Sequence, residues 1–251
     1  MTEQNSAPES IDPPPLPVEQ QPRPFGFWAS AIWVLLAIFA TGLVDIMWTS
    51  SIGKVADWGE GAQVSITGTI GNVIAIIVLF AAVRLKGNWR FEDYIGLHVV
   101  PRRVLFLWIL AIIAWGVIYD SILYLLGQPV VPDENKVLYI SAPSKTLLFV
   151  LIVFAAPIGE EVIFRGFLYR GWLASRLGAA GTVLLSSLIF AVLHLQYDLY
   201  GVAGAGMLGA LIGMARVSSG SIYPCIAMHM ANNFIAFLYT MYEVSRDTIS
   251  I

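Results

Sequence analysis

Seven apolar runs, separated by short polar connections, occupy almost everything after Phe27. They lie at about 27–48, 64–83, 104–127, 146–172, 181–196, 199–215 and 222–242. Each is long enough, or nearly so, to cross a ~30 Å hydrocarbon layer at about 1.5 Å of rise per helical residue. Lipid offers no partner to a bare peptide group, so a spanning segment must be a helix or part of a closed barrel. A barrel would alternate apolar and polar residues over short strands. These runs are continuously apolar, so the expected fold is all-α: a polytopic transmembrane bundle of seven helices, or eight if a re-entrant or split helix escapes the pattern. Composition agrees. The 251-residue chain is 57% hydrophobic and 12% charged, against about 25% charged in soluble domains.

Other classes fall away quickly. A net charge of −3 gives no footprint for nucleic acid. Cys225 stands alone, so an intrachain disulfide is excluded; in an apolar run it reads as a small buried hydrophobe. Residues 1–26 form an acidic, proline-rich tail too poor in apolar groups to build a core, and are expected to be disordered. Residues 27–145 carry the first helices, and residues 146–242 carry nearly all the chemistry.

Basic residues orient the bundle. Arg23, Arg84, Lys86, Arg90, Arg102, Arg103, Arg165, Arg170, Arg176 and Arg216 fall at one end, and Lys54, Lys136, Lys145 and Arg246 at the other. The first end is expected to be cytoplasmic, with the N-terminus on that side. Arg165 could instead belong to a site within the membrane.

Ionisable groups within spans are costly and mark function. "PIGEEVIFRGFLYR" (157–170) places Glu160, Glu161 and Arg165 inside the fourth run. If that helix continues to Trp172, Glu160 lies ~18 Å from the cytoplasmic face; His194 lies at the same depth and His229 at ~10 Å. Three helices thus bring polar groups to similar depths. Glu161 and Arg165, four apart, can pair on one face, while Glu160 is turned away by about 100°. A structural ion pair accounts for Glu161 and Arg165. Pro157 removes a helical donor just before the pair and leaves backbone carbonyls open. His229 and Asn233 share a face and can both donate to one oxygen. Asp120, nearer the other end, reads as a packing or helix-end group, and His98, in a polar connection, as incidental. Glycines 209 and 213 read as close-packing positions.

Glu160-Glu161 with Arg165, then Phe190 with His194, then His229 with Asn233, look like the EExxxR, FxxxH and HxxxN motifs in order. In this they resemble the CPBP family, which groups type II CAAX prenyl proteases with bacteriocin-processing (Abi) enzymes. The resemblance covers about Thr146–Leu238. It implies an integral protein of the cytoplasmic membrane, bacterial in the bacteriocin-processing branch. It implies an intramembrane endopeptidase that cuts membrane-associated peptides or proteins near the cytoplasmic side. Glu160 would activate water with help from His194, His229 and Asn233 would stabilise the oxyanion, and Glu161 and Arg165 would shape the site. The family is often regarded as metalloproteases. Glu160, His194 and His229 could supply three zinc ligands with an open fourth position, with Glu161 as base. Without HExxH, a water activated by glutamate with no cofactor is the other reading. Serine chemistry is disfavoured, because Ser218, Ser219 and Ser221 fall in a short turn. Two functions outside proteolysis remain open: a proton-coupled transporter, which would show inverted repeats, and a non-catalytic immunity or scaffold protein, which needs no polar groups matched in depth.

Overall fold

The computed structural model describes residues 22–52 and 59–249; most of the proline-rich tail lies outside the described residues, as does Lys54. The described residues form nine helices, α1 (Phe27–Met47), α2 (Gly59–Lys86), α3 (Phe91–Ile95), α4 (Arg102–Leu125), α5 (Asp133–Ser141), α6 (Lys145–Leu173), α7 (Gly178–Val192), α8 (Leu199–Ser219) and α9 (Tyr223–Ile249), and no strand. Five of them, Phe27–Ser51, Gly61–Lys86, Arg102–Leu125, Lys145–Leu173 and Leu199–Ser219, are long and apolar enough to cross a membrane. The chain is an integral membrane protein. Large apolar side chains such as Leu35, Phe39, Ile77, Phe106, Val117 and Leu188 point outward, as a lipid-facing surface requires.

The helices alternate in direction, and their connections gather at two ends. At one end the Phe25 and Tyr94 rings lie 6.0 Å apart, Trp172 Nε1 donates to Phe27 O over 3.2 Å, and Ile222 N–H donates to Gly96 O over 3.0 Å. At the other end Gly61 N–H donates to Ser141 Oγ over 2.9 Å, Tyr197 Oη donates to Asn135 Oδ1 over 3.1 Å, and Lys136 pairs with Glu243 at 3.4 Å. The bundle is tightest where α1 runs along α2 and α7 along α8, with α4 against α9. Glycine permits the closest approaches. A Cβ at position 213 would lie 2.2 Å from Tyr169 Oη, and one at 159 would lie 2.5 Å from the Asn72 side chain. The close-packing role expected for the α8 glycines therefore holds.

One position differs from the sequence expectation. Arg216 does not serve a polar connection: it is 3% exposed, and its guanidinium donates to Arg165 O (2.7 Å) and Ile95 O (3.4 Å). It fastens α8 to α6 and to the short α3. Hydropathy near a helix end cannot separate a loop charge from one that is buried because carbonyls await it. The basic excess at that end survives without Arg165 and Arg216.

Candidate active site

The carboxylate pair sits midway along α6, between two irregular stretches. The helix widens to π-type turns at Leu151–Ala155 and again at Val162–Leu168, leaving a regular segment at Ala156–Glu161. Such turns recur at functional sites because they rotate neighbouring side chains and loosen the backbone ladder. Pro157 contributes to the first. Ala156 N–H bonds five residues back to Leu151 O, and the next donor in that register would be Pro157, which has no N–H. The carbonyl left over is that of Ile152, and Asn233 Nδ2 on α9 donates to it over 2.9 Å. The open carbonyl expected from Pro157 is thus tied to a residue of the candidate site.

Glu161 is fully buried, and its Oε1 is shared. Arg165 Nη1 donates to it over 3.2 Å, as the four-residue spacing predicts, and His229 Nδ1 donates to it over 2.8 Å. Arg165, also fully buried, sends Nη2 to Gly209 O at 2.9 Å and lies 4.8 Å from the Phe190 ring centre. A carboxylate only accepts, so His229 Nδ1 carries the proton. The other ring nitrogen, Nε2, then lies 3.9 Å from Glu160 Oε2. That is too long for a direct hydrogen bond, but one oxygen atom can sit within bonding distance of both. Glu160 Oε2 is buried and has no hydrogen-bond partner in the protein.

His194 follows a similar rule. The fifth apolar run, expected to be helical to Gln196, leaves the helix after Val192. Asp198 caps α8 by accepting from Gly201 N–H, so the chain must turn before it. His194 stands in that turn. Its Nδ1 donates to Phe190 O over 2.8 Å, and its ring packs on Phe190 at 4.5 Å. Both histidines therefore hold the proton on Nδ1 and keep Nε2 for other partners.

Glu160, His194, His229 and Asn233 line one cavity of about 380 Å³. All six residues singled out from the motifs converge here: four on the cavity wall, with Glu161 and Arg165 directly behind His229. Sequence reasoning missed Asn135, Tyr197 and Asn232, which also line it, and Trp115 and Tyr119, which supply an aromatic wall from α4. Tyr197 keeps its phenol proton because burial, and then the Glu160 charge, raise its pKa. None of these five residues lies in a spacing that marks chemistry. Asp120 lies on a separate cavity of about 80 Å³, whose wall shares Asn135 and Asn232 with the larger one. Cys225 is fully buried, as expected.

The zinc reading asks Glu160, His194 and His229 to converge on one point. Among the described residues no three of His, Cys, Asp and Glu are grouped closely enough to hold a metal ion. In this arrangement the three side chains do not fit a zinc site.

Residues 142–235 match the model of a family described as type II CAAX prenyl endopeptidase, Rce1-like, and the match supports the CAAX-protease family assignment. The matched segment contains every motif residue. A 24.3 kDa Escherichia coli protein described as uncharacterized is 30% identical over 137 residues, which is 50% of this chain and 61% of that protein. The chain thus spans under two thirds of that relative's length. No solved structure matches.

Proposed function

Taking the CAAX-protease assignment of residues 142–235 as premise, we propose that this chain is an intramembrane endopeptidase that hydrolyses peptide bonds of membrane-associated peptides or proteins. The observation that carries the reading is the pairing of an unpartnered, buried Glu160 Oε2 with His229 Nε2 across 3.9 Å, on the wall of a cavity. A water held between them would face a base on one side and an oriented imidazole on the other.

The chemistry then runs on the chain's own groups. Glu160 takes a proton from the water as the oxygen attacks the carbonyl carbon of the scissile bond. The carbonyl oxygen becomes an oxyanion, met by the Asn233 amide hydrogen not committed to Ile152 O and by His229, whose Nε2 first takes a proton from solvent and then donates it as a hydrogen bond. Glu161, holding Nδ1–H, fixes the orientation of the ring in the way a buried carboxylate orients a catalytic histidine. Glu160 returns its proton to the leaving amine, and the C–N bond breaks. His194, anchored through Nδ1, presents Nε2 as a second acceptor for the water. Glu161 and Arg165 are positioning residues in this scheme.

The test is cleavage of a membrane-anchored peptide by purified protein in liposomes. Wild type should cut it, and His194→Ala should insert normally and lose at least tenfold in kcat. No cleavage by wild type across a panel of membrane-associated peptides would count against the reading. Elemental analysis of active protein adds an independent arm. Stoichiometric zinc, lost together with activity in Glu160→Ala, would replace glutamate-held water with a metal scheme.

A further inference from the structure

The cavity is not centred in the bundle. Glu160 lies 15 residues from Lys145 and 13 from Leu173, about 22 Å from one end of α6 and about 20 Å from the other. Yet the α6 residues that line the cavity, Leu148, Ile152, Ala156 and Glu160, run only toward Lys145. The neighbouring elements agree. α7 contributes its last turn and the connection beyond it, α8 its first turns, α4 the half nearest Leu125, and α5 its inner face. The cavity therefore occupies a single half of the bundle, with Glu160 and His229 at its floor and α5 and the 193–198 turn at its rim.

Charge identifies that half. The opposite end carries Arg23, Arg84, Lys86, Arg90, Arg102, Arg103, Arg170 and Arg176, while the described residues of the rim end carry only Lys136, Lys145 and Arg246. The end rich in arginine and lysine faces the cytoplasm. We infer that the cavity is served from the extracytoplasmic side. Building on the endopeptidase reading, its substrates are polypeptides whose cleavable segment has been translocated, or is anchored in the outer half of the bilayer. This departs from the cytoplasmic-side cleavage that the family resemblance implies. The cavity wall is mostly apolar, with its polar groups concentrated near the floor and at Asn135 and Tyr197. A largely apolar segment entering from that side suits it.

Cysteine labelling tests this directly. The only native thiol, Cys225, is fully buried, so wild type is the blank. Gln196→Cys places a thiol at the exposed rim, Glu134→Cys places a second on α5, and Arg176→Cys reports the opposite end; all three positions are exposed. A membrane-impermeant maleimide applied to intact cells should label Gln196→Cys and Glu134→Cys at least tenfold faster than Arg176→Cys, with the order reversed in inverted vesicles. Labelling of positions 196 and 134 only in inverted vesicles would overturn the inference, as would no labelling of either from outside. The outcome does not depend on proteolysis: an inactive protein would sink the endopeptidase reading and leave the orientation decided.

Discussion

Neutralising Glu161 while leaving Arg165 in place should be among the most damaging single changes available in this bundle. Glu161→Gln leaves the Arg165 cation fully buried with no countercharge beside it, held by Gly209 O, a neutral amide oxygen and the Phe190 and Phe164 rings. Removing one partner of a buried ion pair costs about 3–5 kcal/mol. The reverse change should be milder. Arg165→Met leaves the Glu161 carboxylate with His229 Nδ1–H at 2.8 Å, so a cost of about 1–3 kcal/mol is expected. The double variant has no stranded charge and should cost less than the sum of the singles, with a coupling of about 2 kcal/mol. Reversible denaturant unfolding in mixed micelles, followed by tryptophan fluorescence, measures all three. Activity adds a separate readout: Glu161→Gln should lower kcat by on the order of 10²–10⁴ with KM little changed, because it loosens the histidine rather than the substrate. Additive single costs, or equal costs for the two singles, would refute the shared-carboxylate arrangement.

Two further outcomes follow from other contacts. Asn233→Ala strands the Ile152 carbonyl that Pro157 leaves open, so stability should fall by about 1–3 kcal/mol and kcat should fall with it; unchanged unfolding would show that the carbonyl finds another donor. Burial pushes the Tyr94 phenol up to about 12, so the folded state holds this proton more tightly than the unfolded chain. The associated stability is fully present below pH ~10 and is lost as pH rises through about 12. In Tyr94→Phe, which also gives up the 3.3 Å bond from Phe25 N–H, unfolding measured between pH 9 and 12 should show a shallower decline. An identical decline would place the titration elsewhere.

Much of the architecture was readable because hydrocarbon solvent leaves so few choices. Apolar run length located the helices, five of them long and apolar enough to cross a membrane, and a rise of 1.5 Å per residue placed Glu160, His194 and His229 at similar depths, where all three line one cavity. Local spacing also gave the Glu161–Arg165 pair. It could not give the bond from His229 to the same oxygen, which closes 68 residues of chain and depends on how α9 leans against α6. The π-type turns in α6 were hidden as well, since only Pro157 hints at the first and no residue announces the second. Asn135 and Tyr197 gave no signal because they sit in polar connections, where such residues are ordinary. Arg216 was misplaced because its partners are backbone carbonyls, which look alike in any sequence. The half of the membrane that holds the cavity was equally hidden, because Glu160 stands almost midway along its helix.

The central claim is that Glu160 supplies the base that activates water in the cavity. Replacing it by glutamine keeps the size and removes the charge, while leaving Glu161, Arg165 and their bonds to His229 and Gly209 untouched. Single-turnover cleavage of a membrane-anchored peptide by Glu160→Gln in liposomes should be at least 10²-fold slower than by wild type, with unchanged unfolding and unchanged peptide binding. Cleavage at the wild-type rate would contradict the account.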